Sequence, residues 1–271
     1  MGDVGNESRP GGAGRLLVDE PASGVARLTI SNRERRGALD HAILDALAST
    51  LPRLEARCLI ITGEGDSFSA GYDLGALPDE PLPAEADSLV AHPFAAALDA
   101  VERYPYPTLA ALNGHAIGGG LELAVTCDLR IAAASAYLRM PPAKLSLVYS
   151  HTGIQKFIDT IGAPRTRELF LLGRRVDAGT AQSWGLVNAV AENDDLQGEA
   201  LTLAAEIASA APLAQRGNKR VIRELLAARS VLDPATEGEL LELRRGSLAS
   251  EDFREAVRAF AEKRQPRWEG R

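Results

Sequence analysis

Apolar positions along the chain follow two periodicities. Residues 16–19 and 25–31 alternate apolar and polar side chains around Pro21-Ala22-Ser23-Gly24, the pattern of an antiparallel hairpin. Asp40 then precedes Ile43, Leu44, Leu47 and Leu51, whose spacing predicts a helix with an aspartate N-cap. Residues 58–62 are a short buried-strand run ending at Gly63 and Gly65. Residues 108–112 repeat that strand type and lead through Gly118-Gly119-Gly120 into an apolar, helix-forming run. Residues 129–132 and 137–140 read as further short strands.

Between the strand at 58–62 and that at 108–112 the character changes. Residues 75–93 carry four prolines (Pro78, Pro81, Pro83, Pro93) and several acids, predicting a mobile surface loop of the kind that covers a site. A helix with Phe94, Leu98 and Val101 follows and ends before Pro105. From about Gly153 the pattern is nearly all helical, with stops at Gly162-Ala163-Pro164, Gly173, Gly185 and Pro212. Residues 237–264 form a charged, amphipathic helical stretch able to cover the core or pack on another subunit. Buried strands alternating with helices predict an α/β first part and an all-helical last third.

Composition narrows the function classes. The chain has 271 residues, 45% hydrophobic, enough for one large core or for a core with an appended subdomain. Residues 1–14, Gly-rich and polar, read as a disordered leader. A net charge of −7 argues against a general nucleic-acid binder. Cys58 and Cys127 each sit in an apolar run, with no redox or metal spacing, and His41, His92, His115 and His151 are too scattered for a metal site. No apolar stretch approaches the roughly 18 residues of a membrane helix, and no signal-peptide core is evident. The expectation is a soluble, cytoplasmic protein without a metal or resident cofactor.

Candidate chemistry lies in two glycine turns. Gly118 to Gly120 join a strand to a helix, so the backbone can approach a ligand where the first helix amides are unpaired and the dipole is positive. Glu122 stands one helical turn beyond Gly119. The second turn, Phe68-Ser69-Ala70-Gly71-Tyr72-Asp73-Leu74, follows the strand at 58–62. Two such turns can each give one N–H to a common oxygen, an oxyanion hole suited to enolate chemistry.

These motifs, in this order, resemble the crotonase superfamily, the enoyl-CoA hydratase/isomerase family. The likeness covers nearly the whole chain after residue 14. It rests on Phe68-Ser-Ala-Gly-Tyr-Asp73 and Asn113-Gly-His-Ala-Ile-Gly-Gly-Gly-Leu-Glu-Leu123. Cys127-Asp-Leu-Arg-Ile-Ala132, Trp184-Gly-Leu-Val-Asn188, Pro212 with Lys219, and Phe260-Ala-Glu-Lys-Arg-Gln-Pro266 extend it. The resemblance implies an α/β fold, a crotonase-like spiral of ββα units over residues 15–200, with a helical C-terminal trimerisation region over 201–271. It also implies a homotrimer or dimer of trimers and an acyl-CoA thioester substrate, coenzyme A being part of that substrate. The oxyanion amides would be those of Tyr72 and Gly119. Substrate or CoA contacts would fall at Arg33, Arg35, Ala70, Gly71, Asp73, Leu74, Gly118 and Pro142.

Members of the family differ in their acids and bases. Glu122 occupies the first of the two glutamate positions of typical hydratases. Registering Gly153 and Gln155 on the family's later glycine-glutamine pattern places Pro142 at the second, and no Asp or Glu occurs from residue 129 through 158. Proline has no proton to exchange, which compromises hydration by a carboxylate pair. Residues 140–154 resemble instead the corresponding segment of bacterial methylmalonyl-CoA decarboxylases, where a tyrosine at the place of Tyr149 lines the reacting end. A histidine common in that group at the first turn is here Tyr72. Decarboxylation of a malonyl-type CoA ester therefore stands beside hydration or isomerisation by Glu122, and beside a non-catalytic acyl-CoA-binding homologue. Arg33, Arg35 and Arg36 read either as CoA-phosphate contacts or as a solvated cluster. Lys219 and Lys263 are candidates for the CoA end, reached from the helical region within the chain or across subunits. Asp73 and Asp128 suit structural hydrogen bonding of turn and helix-end amides.

Overall fold

The structure is a computed structural model describing residues 13–73 and 84–271, with backbone alone described for 84–91. The expected leader lies outside the described residues up to position 12, as do Leu74 and the first part of the expected loop.

Two strands begin the fold, β1 (Arg15–Ala22) and β2 (Val25–Ser31), paired antiparallel. Pro21 belongs to β1 rather than to the turn, because β1 is a sheet edge where no ladder donor is needed. After α1 (His41–Thr50), capped by Asp40 through the Ile43 amide, a strand–strand–helix unit repeats three times. The units are β3 (Cys58–Gly63), β4 (Ser67–Ser69), α2 (Ala84–Arg103); β5 (Thr108–Leu112), β6 (His115–Ile117), α3 (Gly119–Thr126); and β7 (Leu129–Ala133), β8 (Tyr137–Arg139), α4 (His151–Arg167). The long strands join β2 and β10 (Ala189–Ala191) in one sheet ordered β1-β2-β3-β5-β7-β10, parallel from β2 onward. The short strands stack with β9 (Arg175–Asp177) in a second sheet ordered β4-β6-β8-β9. This spiral of two sheets matches the expected α/β class.

Residues 58–63 and 108–112 are buried at every position, which explains their continuously apolar character. Each buried Leu or Ile of this core contributes roughly 1.5–3 kcal/mol. After the α5 turn of helix (Ala178–Ser183), α6 (Leu196–Ser209) packs across β3, β5 and β7. Residue 200, the expected boundary, lies within it, and Ala200 is fully buried. The remaining helices are α7 (Pro212–Arg229), α8 (Pro234–Ala249) and α9 (Glu251–Ala261).

Four expectations are corrected. Helix α2 begins at Ala84, so the second half of the expected 75–93 loop is helical; the helix-forming run Ala84-Glu85-Ala86 outweighs the backbone bond lost at Pro93. The segment after Gly153 also holds strands β9 and β10, three residues each and too short to show a period. Gly162 kinks α4 instead of ending it. The tail at 237–264 is two helices, parted at Ser250, whose side chain accepts the Phe253 amide of α9.

Candidate active site

The two glycine turns meet. Ser69, fully buried at the end of β4, donates to the Gly37 carbonyl (2.7 Å) and accepts the Gly71 amide (3.1 Å). The Leu39 amide binds the Gly71 carbonyl at 2.8 Å and the Asp73 amide binds the Leu39 carbonyl at 3.2 Å, clamping the chain on both sides of Tyr72. Gly71 has φ +95°, and a Cβ there would lie 2.6 Å from the Ile117 carbonyl oxygen and 3.2 Å from the Gly119 nitrogen. Gly118, at φ 54° and ψ −123°, is the N-cap of α3, in a conformation open to glycine alone. A Cβ on Gly119 would sit 3.4 Å from the Tyr72 nitrogen and 3.1 Å from Phe94 Cζ. The Tyr72 and Gly119 amides are thus neighbours across the junction, and among the described residues neither donates a hydrogen bond.

Glu122 lies one turn along α3 and is 4% exposed. Its Oε2 accepts the Tyr149 hydroxyl at 2.5 Å. Burial pushes the carboxyl above its ordinary range; the Tyr149 hydrogen bond and the charges of Lys156 and Arg244 oppose that shift. The Tyr149 phenol is pushed well up, first by burial and then by the Glu122 charge. Its ring stands edge-on to Phe170 with centroids 5.5 Å apart. Tyr149 is presented by a compact loop: Pro142 is buried and its carbonyl accepts the Leu145 and Leu147 amides at 2.9 and 3.0 Å. Ser150 then caps α4 through the Gly153 amide. Gly153 is forced to be small, since a Cβ there would lie 2.7 Å from Tyr149 Cε1 and 2.9 Å from Glu122 Oε1.

Other candidates separate from this pair. Arg35 binds Asp73 at 2.5 Å, so the two stabilise the turn together, while Arg33 is exposed beside Gly65. Ala70 donates its amide to the Arg36 carbonyl at 2.9 Å. His41 Nε2 lies 2.8 Å from the Tyr72 hydroxyl; His115 stacks on Tyr137, His151 faces Glu237, and His92 is exposed. Lys219 Nζ bonds Asp128 Oδ2 (2.7 Å) and the Tyr106 carbonyl (3.0 Å) at the start of β5 and β7. A short carboxylate taking the Thr108 amide and hydroxyl as well draws the ammonium there. Sequence reading missed Lys156, ion-paired with Glu102, and Arg244, because both reach Glu122 only through tertiary packing. It missed too the role of buried Arg130, which binds the Cys127 carbonyl at 2.6 Å and the Leu186 carbonyl at 2.8 Å behind α3. Among the described residues no group of His, Cys, Asp and Glu could hold a metal ion, and no helix is long and apolar enough to cross a membrane.

A buried single carboxyl with a phenol partner, close to two neighbouring amides that bond no described residue, can move one proton near a site of growing negative charge. Comparison with known proteins agrees in kind. The profile described as enoyl-CoA hydratase/isomerase matches residues 20–271. Carnitinyl-CoA dehydratase of Citrobacter koseri is 37% identical over 225 residues, covering 80% of this chain and 83% of that protein. The crystal structure of an enoyl-CoA hydratase/isomerase from Pseudoalteromonas atlantica superposes with a TM-score of 0.80 at 32% identity, covering 94% of this chain and 99% of the other. Methylmalonyl-CoA decarboxylase in complex with 2-nitronate-propionyl-CoA superposes with a TM-score of 0.86 at 28% identity, covering 94% and 98%. The chain belongs to the enoyl-CoA hydratase/isomerase, or crotonase, family.

Proposed function

We propose that the protein is an acyl-CoA lyase that decarboxylates malonyl-type CoA esters. The observation carrying this reading is the Glu122–Tyr149 pair: one buried carboxyl, bonded to a phenol, where a hydratase would use two carboxylates. The thioester carbonyl oxygen accepts from the Tyr72 and Gly119 amides. The bond from the α-carbon to the carboxylate breaks, CO₂ leaves, and its electron pair forms the thioester enolate, whose charge the two amides meet without reorienting. Glu122, held protonated further up the pH scale by burial, then gives its proton to the α-carbon and is reprotonated from solvent by way of Tyr149. No base is needed to remove an α-proton, so a single carboxyl suffices. No metal or resident cofactor enters this sequence; coenzyme A arrives as part of the substrate, and Ala70, Gly71, Gly118 and Pro142 shape its acyl end.

A trimer or dimer of trimers accompanies this reading. Helices α7 and α8 bury no residue within the chain, and Leu213, Val221, Ile222 and Leu225 of α7 are exposed, which supports a subunit interface within the expected region 201–271. Relatives named as dehydratases favour a second reading, hydration or isomerisation by Glu122. Incubating the purified protein with methylmalonyl-CoA and, separately, crotonyl-CoA decides between them. CO₂ release from the first supports decarboxylation; hydration of the second with no CO₂ from the first refutes it.

A further inference from the structure

Helix α8 lies across the segment that carries Tyr149. Its Ser247 Oγ accepts the Val148 amide at 2.9 Å, and its Glu237 Oε1 is 3.7 Å from His151 Nε2. Glu237, Arg244 and Ser247 are spaced by seven and three residues, which puts them on one helix face. Arg244, half-buried, therefore projects from the face seated on residues 148–151, between the two contacts. Its charge is felt by both members of the reacting pair, working against the upward shifts of Glu122 and Tyr149. The other cation whose charge reaches Glu122, Lys156, is held by Glu102. Nothing in the glycine turns requires a guanidinium at this place.

We infer that Arg244 is a specificity residue, carried by α8 to the acyl end of the site, which recognises the free carboxylate of a malonyl-type acyl group. Its planar guanidinium offers five donors in a fork matched to a carboxylate, enough to serve a ligand beside any partner it already holds. A neutral acyl chain gains nothing from it. This inference rests on the decarboxylase reading for its substrate class, but its test needs no turnover.

The test is calorimetric binding of two stable thioether analogues, 2-carboxypropyl-CoA and propyl-CoA, to the wild-type protein, Arg244→Met and Arg244→Lys. Removing the guanidinium should weaken the carboxylated analogue by about tenfold to a hundredfold, the range of a charge-assisted hydrogen bond, while propyl-CoA binds as before. Arg244→Lys should recover part of the loss. Equal weakening of both analogues would make Arg244 a mere support for α8, and no weakening of either would remove it from the site; both results overturn the inference. Absence of CO₂ release by the wild-type protein sinks the proposed reaction, yet leaves this discrimination measurable.

Discussion

Replacing Gly119 by alanine separates the fold from the chemistry. The added Cβ would stand 3.4 Å from the Tyr72 nitrogen, in ordinary contact, and 3.1–3.2 Å from the tip of the Phe94 ring. Phe94 is only partly buried, so its ring can retreat the few tenths of an ångström required. Alanine is also up to about 1 kcal/mol better than glycine in a helix, which offsets that adjustment. Stability should therefore stay within about 1 kcal/mol of wild type in urea denaturation. The methyl, however, occupies space between the two amides, and losing one oxyanion donor costs roughly 2.7–4 kcal/mol of transition-state stabilisation, or 10²–10³ in turnover. CO₂ release measured on the same preparation should fall by that factor. Full turnover with an intact fold would refute the placement of the carbonyl beside these nitrogens, and a large loss of stability would refute the argument from Phe94.

Tyr149→Phe keeps the ring against Phe170 and removes only the oxygen bonded to Glu122; turnover should drop roughly tenfold to a hundredfold, given about 1.5–3 kcal/mol for a charged hydrogen bond, and an unchanged rate would return Tyr149 to the core. Because burial raises the Glu122 carboxyl above 4.5, the native state holds its proton longer than the unfolded chain, so this group's stabilisation is full below that pH and is lost as pH rises through the native value. Urea titrations should show Glu122→Gln gaining on wild type steadily from about pH 4.5 upward; a constant difference would contradict the burial argument. Lys219→Met should cost about 1–3 kcal/mol of stability, because Asp128 and the Tyr106 carbonyl lose their cation, and should leave coenzyme A affinity unchanged in calorimetry.

Much of the architecture is legible in the sequence. The hairpin, the buried runs at 58–63 and 108–112 and the Asp40 cap follow from local patterns that tertiary structure reinforces. Strands β4, β6, β9 and β10 did not show themselves, since three residues cannot display an alternation and their pairing is set by neighbours far along the chain. The start of α2 was hidden by prolines that suggest a loop. At the site, Glu122 and the glycine turns declare themselves through spacing within one segment. The bond between Tyr149 and Glu122 spans 27 positions, and the approach of Arg244 depends on how α8 seats on residues 148–151, so neither has a local signal.

The most direct trial is a crystal structure with a non-cleavable amide analogue of methylmalonyl-CoA, which keeps the carbonyl. The account predicts its carbonyl oxygen within roughly 2.7–3.1 Å of both the Tyr72 and Gly119 nitrogens, with Glu122 facing the α-carbon. A carbonyl bound elsewhere, or touching only one of the two amides, would contradict it.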